Sequence, residues 1–208
     1  MRELQTPHTG LLRLGLAVSQ SLLFWERAHE DWSTEELKNR AFKESWFGEL
    51  SQSRAHYLVT TLERRFPFPA RQQLGFKRRD TLQQNQLVCH WHLQLTDPLY
   101  RSFTTSFLFE QWALGEGSVN LEQCVAWVSR QTLAHSWKEI TRRRLASALL
   151  GAAKDAGLCS GAHRGERMLR IPSVIQTDLS YLKGLLLSAD AEAKLPDYLL
   201  SVGYSRED

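Results

Sequence analysis

Three cysteines, two methionines and six prolines in 208 residues already exclude several classes of protein. Cys89, Cys124 and Cys159 stand far apart, with no paired spacing for a disulfide framework or a metal knuckle, which fits a reducing cytoplasm. Long apolar runs are also missing. The most lipid-compatible stretch, residues 14–25, is interrupted by Ser19, Gln20 and Ser21 and bracketed by Arg13 and Glu26, whereas a bilayer span needs roughly 20 apolar residues. No small-residue cleavage site follows an apolar stretch at the N-terminus, so neither export nor membrane insertion is expected. The sequence has no Gly-rich phosphate loop after a strand, no Ser-His-Asp set and no paired-carboxylate pattern. Cys89 and His92 share a helical face in Cys89-His90-Trp91-His92, but no second pair at ligand spacing follows, and zinc needs three or four ligands. The expectation is a chain without a catalytic centre, cofactor or metal.

What is present is enough for packed cores. Hydrophobic residues make up 42% and charged residues 24%, and seven Trp and nine Phe supply large buried anchors. The formal charge is only +3, yet it is unevenly spread. Residues 138–170 hold eight Lys or Arg against Glu139, Asp155 and Glu166. Concentrated positive potential attracts a polyanion such as duplex DNA.

Periodicity predicts a mainly α chain. A first helix is expected over residues 11–29. A second starts at Ser33, where Glu36 completes a capping box and Trp32 packs on Leu37, with Leu37, Ala41 and Phe42 as its buried stripe. After Gly48, a serine at Ser51 or Ser53 caps a helix whose Ala55, Leu58, Val59, Leu62 and Phe66 fall on one face. Residues 66–75, with Pro67, Pro69 and Gly75, form a connection. Asp80 with Gln83 caps the next helix, which buries Leu87, Val88, Trp91 and Leu95. Pro98 starts another holding Leu99, Phe103, Phe107, Leu108 and Trp112, apolar on several sides as in the middle of a bundle. Beyond Gly115-Glu116-Gly117, Asn120 with Gln123 caps a helix to about residue 131. A longer helix over residues 137–156 turns Trp137, Ile140, Leu145, Ala148, Leu149, Ala152 and Ala156 inward and ends at Gly157. Residues 158–159 and 168–171 then flank 161–165 as a hairpin, and a last helix spans residues 173–187.

The fold class implied is mainly α: a helical N-terminal module with helix-turn-helix character, followed by a C-terminal winged helix with one small β-hairpin. The corresponding boundaries are residues 1–71, a central helical pair at 72–117, the winged helix at 118–190 and an acidic tail at 191–208. A recognition helix fits the major groove while a wing reaches a neighbouring backbone or minor groove. Lys138, Thr141, Arg142, Arg143 and Arg144 lie toward the start of that helix, where amides and helix dipole favour phosphate, and Lys154 lies near its end. His163, Arg164 and Arg167 form the wing. Six phosphate contacts, at Lys138, Arg142, Arg143, Arg144, Arg164 and Arg167, would give a slope of log affinity on log salt of roughly −5. A second basic surface is offered by Arg54, His56, Arg64 and Arg65, and a third cluster by Lys77-Arg78-Arg79; paired core helices and solvated charge are the commoner explanation of each. Competing readings are a protein-docking scaffold, acting through an aromatic surface and the acidic tail, and a helical RNA-binding module.

The order of parts is itself informative. A Leu-rich first helix, Asp31-Trp32-Ser33, a helix closing in Leu62-Glu63-Arg64-Arg65, the long run 86–114, and Thr141-Arg142-Arg143-Arg144-Leu145 leading to Lys154-Asp155-Ala156-Gly157-Leu158 together resemble the BrxA family of bacteriophage exclusion (BREX) systems, over roughly residues 11–187. That resemblance implies a small helical protein of winged-helix character that binds double-stranded DNA as a non-enzymatic accessory. Its neighbours in the system are methyltransferase, phosphatase-like and ATPase components. It supplies no base-contacting residues.

Overall fold

Side chains that cap helices fix most of the architecture. The computed structural model of the chain describes residues 3–67, 78–131 and 136–204; residue 71, the expected end of the N-terminal module, and Lys77 lie outside them. Helix α1 (Val18–Arg27) is followed by α2 (Thr34–Lys43), where Ser33 Oγ accepts from Glu36 N at 3.2 Å and the Glu36 carboxylate accepts from Ser33 N at 2.7 Å. Helix α3 (Gln52–Arg65) starts at Ser51 and buries the predicted stripe Ala55, Leu58, Val59, Leu62 and Phe66 in full. Helices α2 and α3 pack against each other, and Gly48 in their connection takes φ +86°, a conformation that favours glycine.

Helix α4 (Leu82–Thr96) begins one residue later than expected. Thr81 and Gln84, not Asp80 and Gln83, form its capping box, and Asn85 fastens the preceding turn by bonding the backbone of Arg79 and Thr81. Every residue from 87 to 100 is buried, so α4 is enclosed on all sides beyond its exposed first turn. Asp97 caps α5 (Pro98–Ser102), which continues as a π-helical segment (Phe103–Leu108) and α6 (Phe109–Ala113). Phe103 and Phe107 stack with centroids 5.4 Å apart, and both meet Trp127.

Trp127 belongs to the C-terminal part: β1 (Ser118–Asn120), α7 (Leu121–Ser129), α8 (Glu139–Asp155), β2 (Glu166–Met168), α9 (Gln176–Ser188) and α10 (Leu195–Leu200). Asn120 and Gln123 form the expected capping box at α7, and Gly157 closes α8 at φ +80°. β1 and β2 make a two-stranded antiparallel sheet in which Ser118 faces Met168, Val119 faces Arg167 and Asn120 faces Glu166. Bridges from Cys159 to Leu169 and from His163 to Glu166 add the other arm of the hairpin. Its tip turns at Arg164 and Gly165, both with positive φ, as two-residue hairpin turns require.

Several sequence expectations need correction. Residues 13–17 are not helical: after a short 3₁₀ turn at Gly10–Leu12 the chain breaks, with Ala17 at φ +56°. Phe42 is 39% exposed and Ile140 55% exposed, so neither joins the interior. Helix α9 starts at Gln176 and not at Ser173, where the Asp178 carboxylate accepts from Ile175 N. Leu169 and Arg170 pair with residues 158–159 as expected, but the strand begins earlier, and Glu166–Met168 pairs with β1, a three-residue strand without a sequence signature. One buried cluster runs from Leu11 through Val202 and includes Tyr198, so the apolar part of the acidic tail is packed inside.

Candidate nucleic-acid interface

Helix α8 sorts its residues cleanly. Leu145, Ala146, Leu149, Leu150, Ala152 and Ala153 are buried, which leaves Ile140, Arg143, Arg144, Ser147 and Lys154 on the outer side. Lys138 is the residue preceding the first turn, exposed and with extended backbone. Thr141 and Arg142 are half-buried, and Nε of Arg142 is shielded from solvent. Arg143 is engaged by Glu122 of α7, with Nη2 2.7 Å from the carboxylate, and this hydrogen bond raises its pKa. Lys154 stands 3.7 Å from Asp155. On the hairpin, His163 and Arg164 are exposed at the tip, while Arg167 is half-buried and donates to Ser160 O at 3.4 Å.

Lys138, Arg144, Arg164 and Arg170 are therefore exposed cations with no ion pair among the described residues. A chain of contacts connects α8 to the hairpin tip. Arg143 reaches Glu122; two residues before it Asn120 pairs with Glu166; two residues before that lies Arg164. Arg170 is an addition to the candidate set, since it follows β2 on the same exposed hairpin. Glu122 is a second addition, and no feature of the sequence points to it, because its partner lies 21 residues away.

The N-terminal basic set is differently placed. Arg65 is buried, and its Nη1 donates to Gly15 O at 3.2 Å and Leu16 O at 2.8 Å. It faces the interior and not the solvent side of α3 expected for it, because these two carbonyls of the non-helical connection require a donor. Arg54 donates to Arg13 O at 3.0 Å and lies over the Tyr57 ring. His56 is half-buried and Arg64 exposed. The third cluster is dispersed as well: Arg78 pairs with Glu26 at 2.8 Å, and Arg79 lies 4.9 Å over the Tyr181 ring.

The histidines singled out in α4 are structural. Ser201 Oγ gives its one proton to Tyr198 O, so it accepts from His90 Nε2 at 2.8 Å, and His90 Nδ1 in turn accepts from Tyr100 OH at 2.9 Å. His92 Nδ1 donates to Arg65 O, and Nε2 accepts from Tyr181 OH, each at 2.8 Å. Burial pushes both imidazoles down to about 3, so they are neutral. Among the described residues no group of three or more His, Cys, Asp or Glu is arranged to hold a metal ion, and no helix is long and apolar enough to cross a membrane.

A comparison with curated proteins returns no match. The BrxA family model matches residues 10–183, most of the length of the sequence. With helices, caps and basic segments in the order that the resemblance rests on, the chain belongs to the BrxA family of bacteriophage exclusion systems.

Proposed function

We propose that this chain is a non-enzymatic, double-stranded DNA-binding accessory protein of BREX-type phage defence. Family membership supports the defence role. The order helix, β1, α7, α8 and hairpin, with β1 zipped to β2, matches the plan of a winged helix, in which α8 is the recognition helix and residues 161–165 the wing. The observation that carries DNA binding is the set of exposed cations on α8 and the hairpin that meet no carboxylate among the described residues: Lys138, Arg144, Arg164 and Arg170.

If these four meet phosphates, the slope of log affinity on log salt is about −4, shallower than six contacts would give. The test is a salt series of duplex binding by the wild type and by a triple variant carrying Lys138→Glu, Arg144→Glu and Arg164→Glu. All three positions are exposed, so the variant is expected to fold. Binding should weaken by roughly a hundredfold at low salt, and the slope should fall by about three units. A variant that binds as the wild type does removes these residues from the mechanism. Competition with structured RNA separates duplex DNA from the RNA reading. In this proposal the chain works beside the methyltransferase, phosphatase-like and ATPase components. For the docking-scaffold reading, Trp91, Phe103 and Phe107 are buried and offer no aromatic surface, whereas Phe109 and Trp112 of α6 are half-buried.

A further inference from the structure

Arg143, on the outer side of α8, is not free. Arg143 and Glu122 meet at two points, Nη2 to Oε1 at 2.7 Å and Nη1 to Oε2 at 3.2 Å. The carboxylate thereby covers both terminal nitrogens of the guanidinium, the same edge that a phosphate, or O6 and N7 of guanine, would take. Glu122 stands in the first turn of α7, where the helix amides favour its negative charge. Glu139, in the first turn of α8, adds a second negative charge near Arg143. Both members of the pair are open to solvent, 49% exposed for Arg143 and 69% for Glu122, so a polyanion can reach them.

We propose that Glu122 is an internal competitor for nucleic acid: its carboxylate holds the binding edge of Arg143 until a duplex displaces it, and so sets the affinity of the α8 surface below what its cations alone would give. This rests on the DNA-binding reading above. Glu122 acts on the duplex in two ways, by occupying Arg143 and by repelling the approaching phosphates. Neutralising it relieves both.

The experiment compares the wild type, Glu122→Gln, Arg143→Gln and the double variant, with a short fluorescent duplex as the probe and anisotropy as the readout. Glu122→Gln is expected to tighten binding roughly threefold to tenfold at low salt and to steepen the salt slope by about one unit. Arg143→Gln in the wild-type background should cost less affinity than Arg144→Gln, because Arg144 meets no carboxylate among the described residues. In the Glu122→Gln background Arg143→Gln should remove most of the gain. Thermal unfolding of each variant confirms that the comparison is between folded proteins. If the wild type binds and Glu122→Gln binds no tighter, the competitor role is wrong while the interface stands. If the wild type ignores duplex DNA at low salt, the interface reading falls and takes this one with it.

Discussion

Helices α3 and α8 look alike as strings of residues: each follows a shorter helix, each carries one apolar stripe, and each sets arginines beside it. Their arginines have opposite fates. On α3, Arg65 points inward to the carbonyls of Gly15 and Leu16, and Arg54 reaches Arg13 O, so two of its cations hold the connection between the first turn and α1. On α8, Arg144 and the preceding Lys138 meet no carboxylate among the described residues, and Arg143 meets one at the surface. A cluster of basic residues reports a structural role or an available one according to whether the fold supplies acceptors. Carbonyls turned inward by a broken helix are such acceptors, and they are invisible in a charge count.

That contrast breaks most directly at Arg65. Arg65→Met keeps the apolar stem and removes the guanidinium, which leaves two buried carbonyls without their donor. The expected loss is about 3 kcal/mol of folding stability, read by urea unfolding, with duplex affinity of the folded protein unchanged. Arg144→Gln should do the reverse, shifting stability by less than about 0.5 kcal/mol while weakening duplex binding. An Arg65→Met protein as stable as the wild type would show that α3 and α8 use their arginines alike.

The histidines sharpen the same comparison. His163 is exposed at the hairpin tip, while His90 and His92 are enclosed in α4 and pushed down to about 3 by burial. Unfolded, each buried histidine takes a proton near 6.5, so below that pH the unfolded chain binds more protons than the folded one. Stability is contributed in full above pH 6.5 and falls as the pH drops toward 3, by up to about 1.4 kcal/mol per pH unit for each histidine. Glu3 sits in the segment before the first turn. Burial there is outweighed by hydrogen bonds from Lys194 and Tyr198 and the charge of Arg101, so its pKa lies below 4.5 and it adds to the acid loss only below that pH. Asp97, pushed up by burial, offsets part of the loss. Replacing His90 by Gln should therefore flatten the stability profile between pH 4.5 and 6.5 by about one histidine's share. A His90→Gln profile as steep as that of the wild type would contradict the buried, neutral assignment.

How much was legible followed from how local the cause was. The caps at Ser33 and Asn120, the five-residue stripe of α3 and the Gly157 stop depend on residues within a turn or two, and all are readable in sequence. The break at residues 13–17 depends on Arg65, about fifty residues on, and the enclosure of His90 depends on Ser201, 111 residues on. Strand β1 is three residues long, too short for an alternating pattern, and it exists because β2 returns to pair with it. For the proposed interface, the charge excess singled out α8 and the hairpin. It could not tell that Arg65 is committed inward, that Arg78 is paired with Glu26, or that Glu122 faces Arg143, since each of these is a long-range contact.

The smallest expected effect is the most discriminating control. Arg78 and Glu26 form an ion pair at 2.8 Å with side chains 62% and 42% exposed, much like the pair of Arg143 with Glu122. Exposed pairs of this kind contribute about 0.5 kcal/mol or less and are screened by salt, so Arg78→Ala should move the unfolding midpoint barely at all. Neutralising the acid by Glu26→Gln frees Arg78 just as Glu122→Gln frees Arg143. Only the second release is on the surface of α8, so only the second should tighten duplex binding. If Glu26→Gln raised duplex affinity by the same factor, the gain would reflect the overall charge of the molecule, and the distinction between α8 and the N-terminal helices would lose its electrostatic basis.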